Sequence, residues 1–199
     1  MTVGEVQLAQ AEKAIADAGV ARRAMIDSQL RVSGVNDPAI LTAFAAVPRE
    51  DFVPDARRAV AYADRAVPLD GGRMLAPALT YGQMLTAAEP VASDTVLVVG
   101  GGAGYLAALA AQLAGSVTES DAGSGKFSLI LVDGAVEVLP ETLLARLADD
   151  GRVVTGLVER GVTRLAIGRK AGGAFALTTL GEADFARLPE FVAPKTWSF

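Results

Sequence analysis

The sequence predicts an α/β fold of the doubly wound type, with a mostly parallel sheet, an N-terminal helical segment and a C-terminal antiparallel hairpin. Three observations predict it. V-L-V-V at 96–99 is followed by Gly100, Gly101, Gly102 and Gly104 and then by the alanine–leucine run at 106–113. Buried strand, glycine bend and helix, in that order, form the ligand-binding corner of doubly wound sheets. F-S-L-I-L-V-D-G-A at 127–135 is a second buried strand, ending on Asp133 and Gly134 at the edge where such sheets take ligands. Residues 163–169 and 173–180 alternate across a glycine pair, the pattern of a hairpin.

The remaining elements follow in chain order. Residues 6–33 carry an apolar helical stripe, Leu8, Ala11, Ile15 and Ala18, interrupted at Gly19 and resumed at Ala24, Met25 and Leu30. Asp37-Pro38 is an N-cap with proline in the first turn, and it starts a helix through Phe44. V-P-R-E-D-F-V-P at 47–54 stops that helix in a fixed turn, and 56–62 predicts a short helix. V-P-L-D-G-G-R-M-L-A-P at 67–77 is an irregular loop, and 78–88 is a helix. Residues 116–121, with Glu119 and Asp121, are either the tip of another strand or a solvated acidic loop, and 122–126 is a glycine–serine linker. Residues 140–147 predict a helix with Leu143, Leu144 and Leu147 on one face. Asp149-Asp150-Gly151 turns the chain into a strand at 152–158, and the aromatic tail at 185–199 packs on the sheet.

The 199 residues suit one domain with one core. The chain contains no cysteine and no histidine. That excludes disulfides, thiolate chemistry, imidazole bases and histidine-ligated metals, so no metal site is expected. The cysteine count fits the cytoplasm. A net charge of −5 speaks against a nucleic-acid partner. No apolar run reaches a membrane span, so no membrane partner is expected, and the N-terminus does not read as a secretory signal. The oligomeric state is not legible.

Chemistry must therefore run on carboxylates, Lys, Arg, Tyr, Ser, Thr or a bound cofactor. A phosphate-binding loop needs a lysine and a hydroxyl residue after its last glycine, and here Tyr105 and Leu106 follow. A dinucleotide fingerprint puts its third glycine on Tyr105 or Ala107, which is off-pattern. G-x-G-x-G at Gly100, Gly102 and Gly104 fits S-adenosylmethionine; the alternative is a tight turn with no ligand. Methyl transfer from a sulfonium to a carboxylate suits a histidine-free chain. The nucleophile is already ionised and the leaving group departs neutral, so positioning and desolvation carry the catalysis. An acid at the second strand tip, Glu119 or Asp121, would accept hydrogen bonds from a ribose diol.

M-I-D-S-Q-L-R-V-S-G-V-N-D-P at 25–38, V-P-R-E-D-F-V-P at 47–54, A-Y-A-D at 61–64 and V-L-V-V-G-G-G-A-G-Y at 96–105 stand in one order. F-S-L-I-L-V-D-G-A at 127–135 follows, then Pro140, Leu147 and G-R-V-V at 151–154. Together these blocks resemble the protein-L-isoaspartate O-methyltransferase family. The resemblance implies a Rossmann-like fold of the class I methyltransferase type, with S-adenosylmethionine as donor. It implies methyl esterification of an isoaspartyl carboxylate in protein repair, the partner being a protein or peptide that carries one. Residues 1–90 become the helical entry segment and substrate-side loop, and 91–199 the cofactor core. The donor is expected on Val99, Gly100, Gly102, Gly104 and Tyr105, its ribose on Glu119 or Asp121, and its adenine beside Asp133 and Gly134.

Three departures accompany the resemblance. The family's T-I-S-x-P segment, aligned on Pro77, reads Arg73-Met74-Leu75-Ala76-Pro77, so leucine stands at the serine. Arg73, whose guanidinium fork suits a carboxylate, is the candidate to hold the substrate instead. Val98 stands where methyltransferases carry an acid that anchors the donor's polar end. The stretch near 117–126 is too short for the strand and helix expected there, so either one βα unit is missing or a disordered segment is absent from this sequence. A non-catalytic binding protein on the same fold is the alternative these departures leave open.

Overall fold

The computed structural model describes residues 13, 16–101, 104–119 and 125–193. Helix α1 (residues 16–25) runs on through a π turn, Ile26–Leu30, and a 3₁₀ turn, Arg31–Ser33. It stops at Gly34, whose φ of 90° is left-handed. Helix α2 (Pro38–Ala46) is capped by the Asp37 carboxylate, which accepts from the amides of Ala39 and Ile40. Two 3₁₀ turns, Arg49–Phe52 and Asp55–Val60, follow. The loop at 67–77 is more regular than its composition suggests. Strands β1 (Val67–Pro68) and β2 (Met74–Leu75) pair antiparallel around a 3₁₀ turn at Asp70–Gly72. Helix α3 (Ala78–Ala88) occupies the range its sequence predicts.

The main sheet follows. Its strands are β3 (Thr95–Gly100), β4 (Ser116–Glu119), β5 (Phe127–Val136), β6 (Leu147–Glu159), β7 (Val162–Ala171) and β8 (Ala174–Glu182). Their spatial order is β4-β3-β5-β6-β7-β8, with β3 to β6 parallel and the last two antiparallel. Helix α4 (Tyr105–Ala110) leaves the glycine bend, and the short α5 (Glu141–Leu144) joins β5 to β6. Strand β4 is an edge, and only residues 120–126 separate it from β5 on the far side of β3. Parallel strands usually need a dozen or more connecting residues.

Alternation along β3 and β5 sends side chains to two cores. Val96, Val98, Leu129 and Leu131 pack with the entry segment, α2, α3 and α4. Leu97, Val99, Ile130 and Val132 pack with Leu143 of α5 and with Leu188 of the tail. The helix expected over 140–147 is shorter because Leu147 is drawn into β6 opposite Phe127. Asp149-Asp150-Gly151 does not break the strand. It loops out as a bulge between the pairs Phe127–Leu147 and Leu129–Arg152, with Asp150 at a φ of 62°.

A polar clamp fixes the end of the sheet away from the glycine bend. Arg152 grips Asp94 with two bonds of 2.7 and 3.1 Å and also donates to the carbonyls of Ala88 and Glu89 at the end of α3. Ser128 Oγ and the Val91 amide donate to the same carboxylate at 2.6 and 2.9 Å. Burial by itself raises the Asp94 carboxyl, but these donors outweigh it and bring the group down to about 2. No helix among the described residues is long and apolar enough to cross a membrane.

Candidate donor and acceptor site

The parallel strands end around a cavity of about 510 Å³, within the range of small-molecule sites. Val98, Val99, Gly100, Gly104, Glu119 and Asp133 form the wall contributed by β3, β4, β5 and the bend. Leu143 and Arg146, from α5 and the turn after it, and Glu190 and Phe191 of the tail face them. Glu119 is exposed, stands opposite Val98 in the ladder, and lays its carboxylate against the bend: a methyl group on Gly104 would sit 3.2 Å from Oε2. Gly104, with a φ of 71°, begins α4 from the left-handed region.

The ladder loosens where the site needs it. β5 pairs with β6 through Val132–Thr155 and again at Ala135–Gly156, so Asp133 and Gly134 drop out of register. The tail enters beside this bulge, with the Ala135 amide donating to Ala186 O at 2.8 Å and the Leu188 amide to Ala135 O at 2.9 Å. Leu188 then rests on two glycines. A methyl group on Gly134 would fall 2.5 Å from it, and one on Gly100 would fall 2.8 Å away. The Glu137 amide donates to Phe191 O at 2.9 Å, which brings Phe191 over the cavity as a cover.

Behind the cavity lies a buried polar chain. Arg49, of V-P-R-E, is fully buried and donates through Nε to Ala61 O and through Nη2 to Ala76 O, both at 2.6 Å. Its guanidinium lies 5.2 Å from the Tyr105 ring and 5.9 Å from the Tyr81 ring. Burial draws the Arg49 guanidinium down from its ordinary value, opposed by Tyr105 and Tyr81. The Ala76 amide donates to Tyr81 Oη at 3.1 Å, and Tyr81 Oη donates to Asp133 Oδ2 at 3.2 Å. Asp133 is 5% exposed, and burial pushes its carboxyl up to about 7 against the opposing pulls of Tyr81 and Arg49. Its carboxylate lies under the bend, where a methyl group on Gly101 would meet Oδ2 at 2.2 Å.

Glu50 and Tyr62, from the motifs at 47–54 and 61–64, form a second cluster with Arg22. Arg22 Nε donates to Tyr62 Oη at 2.8 Å and Nη2 to Glu50 at 3.0 Å, and Tyr62 Oη donates to Glu50 Oε2. Burial, then the Glu50 bond, pushes the Tyr62 phenol up to about 12.

The structure thus gathers Val99, Gly100, Gly104, Glu119 and Asp133 around one cavity. Gly102 and Asp121 lie outside the described residues. Tyr105, expected at the donor, turns into the opposite core, where Phe44, Phe52 and Tyr81 surround its ring. Gly134 serves as the seat of Leu188 rather than as cavity wall. Arg73 is exposed on the loop, with Nε donating to Asp70 O at 3.0 Å, and the structure does not bring it to the cavity. Sequence reasoning missed Arg49, Tyr81 and Leu188. Arg49 alone carried a signal, as the basic residue of a proline-flanked motif.

A family model described as protein-L-isoaspartate(D-aspartate) O-methyltransferase matches residues 21–120. A protein-L-isoaspartate O-methyltransferase of Koribacter versatilis is 32% identical, across 84% of this chain and 90% of the relative. The chain belongs to the protein-L-isoaspartate O-methyltransferase family. A relative of the same name from Rhodopseudomonas palustris is 30% identical across 82% of this chain and 86% of its own length. The fold is that of a solved structure from Plasmodium falciparum, titled a protein-L-isoaspartate O-methyltransferase in complex with S-adenosyl-L-homocysteine. The TM-score is 0.70 at 16% identity, over 85% of this chain and 98% of that one. Against the family pattern, the serine position is filled by Leu75, which is completely buried in β2 opposite Val67. Val98, in the place of the anchoring acid, lies in the ladder beside Glu119, so an acidic side chain stands one strand away.

Proposed function

We propose that the protein binds S-adenosylmethionine in the cavity at the glycine bend and methylates a carboxylate of a protein or peptide. The isoaspartyl carboxylate is the acceptor that family membership favours. The observation that carries this reading is the cavity itself, which joins Gly100 and Gly104 of the glycine-rich bend to the Glu119 carboxylate at a neighbouring strand tip. The residues fit the group. Val99, Gly100 and Gly104, with Gly102 beside them in sequence, leave room for the donor's amino-acid end, and Glu119, or Asp121 after it, accepts from its ribose hydroxyls. Leu143 and Phe191 keep water from the nucleoside half. When bound, the donor supplies an electrophilic methyl group on a sulfonium, which an ionised carboxylate accepts without a base. A histidine-free chain can perform that reaction by orientation alone.

Isothermal titration with S-adenosylhomocysteine tests the reading. Saturable binding with a Kd tighter than ~1 mM is expected, and absence of heat at that concentration overturns it. Leu75 favours a second reading, a nucleoside-binding protein that transfers nothing, since it removes the substrate hydroxyl. Donor binding without methylation of an isoaspartyl peptide separates the two. We read the chain as one cytoplasmic domain, lacking one βα unit between Glu119 and Phe127.

A further inference from the structure

We propose that Asp133 has taken over the place of the missing serine: its carboxylic acid, joined through Tyr81 to the loop of Leu75, holds the acceptor carboxylate at the inner end of the donor cavity. The inference rests on the methyl-transfer reading above.

The placement follows from strand geometry. Leu129, Leu131 and Asp133 share one face of β5, and the first two pack in the core beneath the entry segment. Asp133 continues that face to the cavity wall. The loop at 67–77 contains no serine or threonine, so it offers no side-chain hydroxyl to an acceptor. Tyr81 Oη, 3.2 Å from Asp133, takes the amide of Ala76, the residue after Leu75. Arg49 fixes the carbonyl of the same residue. Asp133 is thereby tied through Tyr81 to the residue after Leu75, and it also lines the donor cavity.

The chemistry needs a donor, and a protonated carboxyl is one. Two carboxyl groups face to face do not both ionise; they share one proton in a strong charge-assisted bond. Burial that lifts the Asp133 carboxyl to about 7 keeps that proton available through mildly acid and neutral pH. The groups facing Asp133 are Tyr81 from α3 and Arg49 from the 3₁₀ turn. Glu119, Glu190 and Arg146 stand elsewhere on the cavity wall. Glu119 and Glu190 repel an incoming carboxylate. The Arg146 guanidinium stacks 5.1 Å over Phe127, in the opposite core. The bond from Asp133 is strongest to the ionised acceptor and weakens once the acceptor is an uncharged ester. It therefore contributes to acceptor affinity and orientation and favours release of product, so its loss appears in KM rather than in kcat.

The test uses the full chain saturated with S-adenosylhomocysteine, confirmed by titration calorimetry, and a fluorescent isoaspartyl peptide followed by anisotropy. For the natural sequence, affinity is expected to fall at least tenfold between about pH 6.5 and about pH 8.5, as the proton leaves Asp133. Asp133→Asn, whose amide donates at every pH, is expected to bind the peptide with a flat profile. Asp133→Leu, measured at S-adenosylhomocysteine concentrations that calorimetry shows to saturate the variant itself, is expected to bind the peptide at least tenfold more weakly at the acid end. In steady-state methylation the natural chain's KM should rise over the same interval with kcat nearly constant. Peptide affinity that rises with pH, or an Asn variant that follows the natural curve, overturns the assignment and leaves the donor reading standing. A natural chain that takes up no S-adenosylhomocysteine overturns both.

Discussion

Replacing Leu75 by serine restores the family's hydroxyl at a cost that the structure sets. Leu75 is completely inaccessible to solvent and packs in the core that includes Tyr81 and Tyr105. Truncating a buried leucine to alanine costs about 2–5 kcal/mol. A serine hydroxyl lacking a full set of partners adds about 1 kcal/mol more. A loss near 4 kcal/mol is thus expected, a large part of a total stability of about 5–15 kcal/mol. For a chain of this size, at about 2–4 °C per kcal/mol, Tm should fall by roughly 8–16 °C in thermal unfolding followed by circular dichroism. At a temperature where the variant remains folded, peptide affinity should lose part of its pH dependence, because the hydroxyl donates at every pH. A fall in Tm below ~2 °C would refute the packing on which this rests.

Further outcomes follow from the charged groups. Asp94, with its folded-state carboxyl at about 2 against an ordinary 3.8, contributes about 2 kcal/mol above pH ~4, lost as pH falls through 2. Asp94→Asn should remove that acid-side step from the profile of Tm against pH. Asp133 acts with the opposite sign: at about 7 when folded against 3.8 when unfolded, it makes the protein less stable as pH rises between those values. Asp133→Asn should therefore raise Tm at pH ~8, by the equivalent of at most about 4 kcal/mol, with little gain near pH ~4. Glu119→Gln should weaken S-adenosylhomocysteine by about tenfold in calorimetry, the loss of one charge-assisted bond; an unchanged Kd would remove Glu119 from the ribose.

The parts of this fold that were legible in the sequence are those written in local pattern. Four apolar residues before the glycines give β3, period-two alternation around Gly172-Gly173 gives the hairpin, and Asp37-Pro38 gives the start of α2. The site was legible only in outline. Gly100, Gly104, Glu119 and Asp133 meet at one cavity because strand ends meet there. What each side chain faces depends on residues distant in the chain. Tyr105 turns inward because Arg49, 56 residues earlier, supplies a cation beneath its ring. Gly134 is filled by Leu188, 54 residues later. Arg49 carries the signal of its proline-flanked motif, but nothing local announces that two carbonyls await it. Residues 140–147 carried leucines at helical spacing, yet pairing with Phe127 took Leu147 into the sheet.

We propose that the glycine bend and the tip of β4 together hold a nucleoside donor. A crystal structure of the complex with S-adenosylhomocysteine tests it most directly. The homocysteine end is expected over the bend from Gly100 to Gly104, with the ribose hydroxyls within hydrogen-bond reach of Glu119. A nucleoside bound elsewhere, or a bend closed over by Leu188 and Phe191 with the compound present in excess, would contradict it.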